Sequence, residues 1–360
     1  SKLTKLTISG NTLTSIGSKA FENAALLADV YAEPTTAPAV QADSFSGAGT
    51  SVQGSKTFHV ASVEAYSSWA TAASGYTMEA LGPDYLSEGL YYRASGEDPW
   101  KSEIPQTFTT LYIKTAGDNT VMTAEQMKAV ADAVKALAAP ATVDFSEVVY
   151  ESETFPNSFK SNANLAGIVF PQNVTKTASA AFQKTGMTSV TLLKGISYGS
   201  NAFDSCASLV SVTVEEGVTE IGNYMFQNTK LTDVTLPNSV TKIGASAFNG
   251  CSLTTINFGQ GVKTIENSAF QNCGELTEII LPDATETLGQ NAFGDCPKLA
   301  KISLGKNMKT LEAYCFVGYS KGCPLLGDII CRATTPPTLK DDYGTGPFGG
   351  GWSPVAGKDV

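Results

Sequence analysis

Phenylalanine returns at positions 159, 182, 203, 226, 248, 270, 293 and 316, at intervals of 21 to 23 residues. No other feature constrains the chain as much. A period of this length marks a repeat fold. One repeat cannot bury its own apolar face, so neighbouring repeats must stack. Segments such as LTDVTLPNSVTKIGASAFNGCS (from Leu231) and LTTINFGQGVKTIENSAFQNCGE (from Leu253) share one frame, and further copies start at Leu209, Leu276 and Leu299. The frame is Leu-x-x-Val/Ile-x-Leu, a turn, Val-x-x-Ile-Gly, then Ala-Phe-x-x-Cys.

The frame reads directly as structure. Val234 and Leu236 alternate with Asp233 and Thr235, the period-two pattern of a strand with one buried face. Pro237, or Gly259 and Gly305 in other copies, ends the strand. A second extended piece turns Val240 and Ile243 inward. Gly244 then permits a tight bend, and Ala247 and Phe248 fill the opposite side. The expected fold is a β-rich repeat solenoid of 22- or 23-residue coils. Parallel strands about 4.8 Å apart carry leucine and phenylalanine ladders along it.

Cysteine follows phenylalanine by three at Cys206, Cys251, Cys273 and Cys296, and other copies carry Thr185, Thr229 or Tyr319 there. Cys323 joins this ladder after a four-residue insertion, Tyr319–Gly322, while Cys315 and Cys331 lie off it. Exchange with threonine points to a small, weakly polar packing residue that offers a donor to a nearby carbonyl. Disulfides fit stacked parallel side chains poorly. Structural zinc wants paired Cys-x2–4-Cys knuckles, and a reactive thiol wants a basic or helix-N-terminal setting. Seven cysteines also leave at least one unpaired.

The frame LxxVxLPxxVxxIGxxAFxxC resembles the BspA-like, or Treponema-type, leucine-rich repeats over roughly residues 141–335, with a less complete second match elsewhere. That resemblance implies a curved leucine-rich-repeat solenoid in a surface or secreted protein of Bacteroides-like bacteria, with an adhesive or binding role. Fibronectin and other host-matrix ligands are associated with founding members. The family offers no catalytic residues to carry over.

The flanks follow from the same pattern. Residues 1–82 read as the end of a first array with its C-terminal cap, because ADVYAEPTTAPAV at 28–40 matches GDIICRATTPPTL at 327–339. In that cap Ser62 begins a short helix carrying Tyr66 and Trp69, and Gly75 stops it. Residues 83–106 read as an irregular connector, with Trp100 and its tyrosines packed rather than displayed. Residues 107–145 form a β–helix–β capping unit: Leu111 and Ile113 alternate, Thr123 and Gln126 form a capping box, and Pro140 ends the helix. The main array spans 146–335, and 336–360 is an incomplete cap. Beginning in mid-frame at Ser1 suggests processing or truncation, with further coils upstream.

Composition narrows the function. A net charge of −10 and no basic stripe exclude nucleic acid. No apolar run reaches the ~20 residues of a membrane span. The single histidine, His59, rules out two-histidine metal sites. It sits in an alternating stretch and reads as a strand residue. Glu215-Glu216 and Asp341-Asp342 are adjacent turn pairs that splay, so no glycosidase pair is nominated, and no cofactor or metal is expected. The candidate binding residues are the outward strand positions of a concave face: Ser211 and Thr213, Asp233 and Thr235, Thr255 and Asn257, Glu278 and Ile280, Lys301 and Ser303. The functional expectation is a non-enzymatic, extracytoplasmic protein binding a host extracellular-matrix protein or glycan. The alternative is a structural spacer or assembly module without a ligand site of its own.

Overall fold

The computed structural model describes residues 3–8, 14–32, 37–52, 56–60, 66–69, 72, 75–80, 90–95, 104–115, 121–317, 322–340 and 346–347. The chain is a parallel-strand β-solenoid of about 12 turns, about 23 residues each, with little helix. It divides into two compact units: Ser1–Pro105 with Leu111–Met122 and Ser146–Val149, and Gln106–Thr110 with Thr123–Phe145 and Tyr150–Val360.

In the second unit most coils contribute a first strand, a second short strand and a turn around the phenylalanine; the coil of Phe203 has a single bridge, Lys176↔Ser197, in place of the second strand. First strands pair in parallel, as Ser189↔Ser211 to Leu192↔Val214, Asp233↔Thr255 to Thr235↔Asn257, and Glu278↔Lys301 to Ile280↔Ser303. The second strands, from Glu220–Ile221 to Thr338–Leu339, build one six-stranded parallel sheet. Leu209, Leu231, Leu253, Leu276 and Leu299 are all fully buried. Phe182, Phe203, Phe226, Phe248, Phe270 and Phe293 stack at centroid separations of 5.2 to 5.7 Å. Each such pair adds about 0.5–1.5 kcal/mol beyond the area it buries.

The turn holding the phenylalanine carries the most specific backbone device. The residues two before and two after it are left-handed, as at Ser246 (φ 53°) and Gly250 (φ 71°) around Phe248, or Asn201 (φ 61°) and Ser205 (φ 56°) around Phe203. These reversals aim three alternate N–H groups along the solenoid axis. Ser246, Phe248 and Gly250 donate to the carbonyls of Asn267, Ala269 and Gln271 in the next coil, at 2.9, 2.8 and 2.8 Å. The signal was present in the residue after next, which is Ser, Asn, Asp or Gly in most copies. Of these, Gly, Asn and Asp tolerate the left-handed region best. Gly244 has a different role from the one expected. It has no left-handed angle; instead a Cβ there would sit 2.5 Å from Asn223 Oδ1 and 2.8 Å from its backbone nitrogen. The glycine permits coil-to-coil approach.

Helix Ala124–Lys135 has the expected capping box: Gln126 N–H donates to Thr123 Oγ1 (3.3 Å) and Thr123 N–H to Gln126 Oε1 (2.8 Å). Met127, Val130, Ala131 and Val134 are its buried face. It ends at Lys135, before Pro140. Asn164 Nδ2 donates to the carbonyls of Lys135 (3.1 Å) and Leu137 (2.8 Å), satisfying helix-terminal acceptors from the coil alongside.

In the first unit Lys5–Ile8, Asp29–Ala32, Thr57–Val60 and Thr77–Ala80 form one sheet in that order. Tyr66 and Trp69 are fully buried, and the described part of the expected cap helix is the 3-10 turn Ser67–Trp69. Trp69 fixes this short turn by donating its indole N–H to the Pro38 carbonyl at 2.8 Å. Ser62, its proposed cap, lies outside the described residues. Part of the stretch expected to be irregular is strand Leu90–Arg93, antiparallel to Tyr112–Thr115 of the strand Thr110–Thr115. The run Leu-Tyr-Tyr-Arg suits a pleated surface, and the prolines of this stretch, at positions 83, 99 and 105, lie outside it. Tyr91 and Tyr92 are buried; Trp100 lies outside the described residues.

The stacks predict graded effects. Phe248→Ala should cost about 3–5 kcal/mol in denaturant unfolding followed by circular dichroism, as for a buried aromatic. Ser246→Gly should raise stability by up to about 1 kcal/mol, by relieving a left-handed non-glycine residue.

Candidate functional site

The outward strand residues form two rows across the strand face of the second unit. Asp233, Thr255, Glu278 and Lys301 lie in one, with Asp233 opposite Thr255 and Glu278 opposite Lys301. Thr213, Thr235, Asn257, Ile280 and Ser303 lie in the other. All the expected residues are exposed except Lys301 and Ser303, which are half-buried. The structure therefore brings the nominated residues onto one face.

Within the first row the side chains hold one another. Asp233 Oδ1 accepts from Thr255 Oγ1 at 2.6 Å, and Oδ2 from Thr232 Oγ1 at 2.9 Å. These hydrogen bonds, Thr255's first, hold the Asp233 carboxyl below its ordinary value. Lys301 Nζ lies 2.9 Å from Glu278 Oε1, and the hydrogen bond to Glu278 raises the lysine's pKa. In the second row, Ile280 is 60% exposed, an apolar side chain among polar ones.

Two hollows open along this face, and both include residues that pattern reading passed over. The first, about 480 Å³, is lined by Ile168, Phe170, Met187, Thr191 and Thr213. Its strand, Leu165–Val169, carries an irregularity between Leu165 and Gly167 that breaks the alternation. The glycine inside an apolar strand was the available signal. The second, about 380 Å³, is lined by Asn257, Phe258, Gln260, Ile280, Asp283 and Arg332. Arg332 reaches back across two coils. It donates to the carbonyls of Leu304 (3.2 Å) and Leu281 (2.9 Å) and pairs with Asp283 at 3.1 Å. Nothing in the repeat frame announces a residue that reaches two coils away.

The thiols are stacking devices. Cys206, Cys251, Cys273, Cys296 and Cys323 each donate to the phenylalanine carbonyl of the preceding coil, at 3.0, 3.0, 3.3, 3.3 and 3.2 Å. Thr185 and Thr229 instead donate to the phenylalanine of their own coil at 2.9 Å. The longer C–S bond lets cysteine reach across the coil boundary. Burial pushes the Cys251 thiol up to about 11 and that of Cys273 well above its ordinary value. Cys323 is half-buried, and its interaction with the Cys296 side chain lowers its pKa.

Glu215 accepts from the backbone N–H of Lys194 at 2.9 Å, and Asp341 and Asp342 lie outside the described residues. Among the described residues no group of three or more His, Cys, Asp or Glu side chains could hold a metal. His59 lies in strand Thr57–Val60; its side chain lies outside the described residues.

The family model of the BspA type leucine rich repeat region matches six copies, over residues 1–57, 149–198 and 196–322. No curated protein gives a significant match. Among solved structures, a leucine rich cell surface protein from Faecalibacterium prausnitzii is 17% identical, with 92% of this chain and 88% of that one covered and a TM-score of 0.40. A leucine-rich repeat protein from Eubacterium ventriosum is 17% identical, covering 93% and 84%, TM-score 0.35. The T. pallidum leucine rich repeat protein is 18% identical, covering 66% and 78%, TM-score 0.30.

Two measurements check the electrostatics. With the Cys251 thiol raised from 9.0 to about 11, the folded state holds its proton longer than the unfolded chain. Stability is then complete below pH 9 and declines as pH rises toward 11, by up to about 1.4 kcal/mol per pH unit for such a thiol; denaturant melts of wild type and Cys251→Thr across that range read the difference. Native alkylation followed by mass spectrometry should label Cys323 before Cys251, Cys273 and Cys296, and equal rates would contradict the ladder.

Proposed function

The chain belongs to the BspA-type leucine-rich repeat proteins, and on that premise we propose that it is a non-enzymatic binding protein of the bacterial surface or secreted space, whose strand face engages a host extracellular-matrix protein or glycan. The observation that carries this reading is the 480 Å³ hollow on that face. It sets half-buried Phe170 beside Thr191 and Thr213, an aromatic platform next to hydroxyl donors and acceptors. The two polar rows continue the surface away from it. No helix among the described residues is long and apolar enough to cross a membrane.

The spacer reading has an observation of its own. Asp233 with its threonines, and Glu278 with Lys301, are already satisfied within the face, as a surface without a ligand would be. Presenting the intact protein to panels of matrix proteins and glycans by biolayer interferometry separates the two readings. Binding should weaken at least tenfold in Phe170→Ala with Thr213→Lys, with an unchanged circular dichroism spectrum. No binding by the folded protein across both panels would leave the spacer reading standing.

A further inference from the structure

On the second-strand side of the second unit, one coil boundary differs from those around it. Elsewhere the residue ahead of each second strand donates its N–H to the preceding coil, as Ser197 to Thr175, Thr241 to Thr219, Lys263 to Thr241 and Glu286 to Lys263, all at 2.8 Å. The residue after the strand does the same, as Gly244 to Ile221 and Glu266 to Ile243, at 2.8 and 2.9 Å. Thr219 and Gly222 hold these two frame positions in the coil of Phe226. Among the described residues, neither N–H donates to the coil before it. The six-stranded sheet accordingly starts at Glu220–Ile221 and does not include Ser197. The same two coils stay joined elsewhere, by the Phe203 N–H on the Met225 carbonyl at 2.9 Å and by the strand register Ser189↔Ser211 to Leu192↔Val214.

Two large side chains hold this boundary open. Tyr198 stands where the following coils place Ile221, Ile243 and Ile265, and Met225 where neighbouring coils place Ala202, Ala247 and Ala269. Tyr198 is half-buried, its hydroxyl accepting from the Leu193 N–H at 3.1 Å. Met225 is buried, and its Cε ends 3.2 Å from where a Cβ on Gly222 would sit. Between the two coils lies a hollow of about 250 Å³, with Ile196–Tyr198 on one side and Val218–Glu220 with Gly222 on the other. The Tyr198 carbonyl is 3.6 Å from the same Cβ position and accepts from no protein group among the described residues. Buried Met225 and Val218 give the hollow an apolar floor, and exposed Ser197, Thr219 and Glu220 give it a polar rim.

We propose that this hollow binds the acetamido group of an N-acetylhexosamine residue in a neutral glycan. An amide replaces the peptide link that the boundary lacks. Its carbonyl accepts from the Gly222 N–H, its N–H donates to the Tyr198 carbonyl, and its methyl rests on Met225. A ring hydroxyl accepts from the Thr219 N–H, and Glu220 accepts from another. The volume falls below the ~300–1,000 Å³ of sites that engulf a whole drug-sized ligand, so the hollow takes one sugar residue. The Glu220 carboxylate at the rim disfavours an acidic sugar. Two donors at a single coil boundary are too few for the ladder that an added peptide strand would need. This site lies apart from the strand-face hollow and does not depend on it.

The test uses the full 360-residue chain with two neutral trimers of the same linkage, one of N-acetylglucosamine (triacetylchitotriose) and one of glucose (cellotriose). Calorimetry should show saturable binding of the first, and at least tenfold weaker binding of the second. Saturation-transfer NMR should place the strongest transfer on the acetamido methyl. Tyr198→Ile with Met225→Ala restores the residues of a regular coil, so it should abolish binding while raising the denaturant midpoint, a gain that a damaged fold would not show. Gly222→Ala narrows the hollow against the flexible end of Met225 and should weaken binding at least tenfold with an unchanged circular dichroism spectrum. Phe170→Ala with Thr213→Lys should leave it unchanged. No saturation at millimolar trimer, equal binding of cellotriose, or full binding by both the double variant and Gly222→Ala would overturn the proposal. So would loss of binding only in the Phe170 and Thr213 variant, which would place the sugar on the strand face, or equal binding of an N-acetylated dipeptide amide, which would make this a peptide site.

Discussion

Everything in this chain depends on hydrogen bonds that run along the stacking axis rather than within a coil. A coil of about 23 residues has no interior of its own. Its backbone donors and acceptors are satisfied only if those of the next coil stand in register with them. The two strands of each coil achieve this by parallel pairing. The phenylalanine turn achieves it by left-handed residues on either side of the ring, which turn three alternate N–H groups toward the next coil. The phenylalanine stack, the leucine ladder and the cysteine donors all presuppose that register.

This order of dependence explains what could be read in advance. The inward residues were legible, because a buried position repeated at fixed spacing imposes one residue type each time: Leu231, Val234, Leu236 and Phe248 recur as a set. The left-handed positions were harder to read. Several residue types can adopt that conformation at modest strain, and Lys184, Tyr224 and Ala180 do so without any compositional signal. Gly244 was recognised as necessary but for the wrong reason, since a glycine that clears a neighbouring coil looks in sequence like one that bends. The aromatic anchors of the first unit's cap were legible too: Tyr66 and Trp69 are buried as expected, around the 3-10 turn Ser67–Trp69.

The candidate face was legible to the extent that it obeys the repeat. Thr213, Asp233, Thr235, Thr255, Asn257, Glu278 and Lys301 follow from alternation, and the structure aligns them in two rows. The hollows come from departures: the irregular strand at Gly167, the aromatic Phe170 beyond it, and Arg332 reaching across two coils. A repeat frame describes what successive coils share, whereas a pocket requires that one coil differ from its neighbours. Pattern reading therefore finds the surface more readily than the places on it where a ligand could fit.

Selectivity in such a fold must lie in its exceptions, and the cysteine position shows how narrow an exception can be. Cysteine and threonine alternate at one frame position and both satisfy a phenylalanine carbonyl. Threonine closes its own coil, while cysteine reaches the preceding one. The run Cys251, Cys273, Cys296, Cys323 therefore joins five successive coils, from that of Phe226 to that of Phe316, by side-chain donors as well as by backbone. The same coils carry ion pairs repeated between neighbours, Glu278 with Lys301, Asp283 with Lys306 and Glu286 with Lys309. Exposed pairs contribute little energy singly, but each opposes slippage of one coil past the next, because a shifted register would separate every pair together. Backbone pairing accompanies them, as in Lys301↔Asp328 and Thr310↔Thr338. Side-chain links of this kind add to the register that the backbone sets between neighbouring coils.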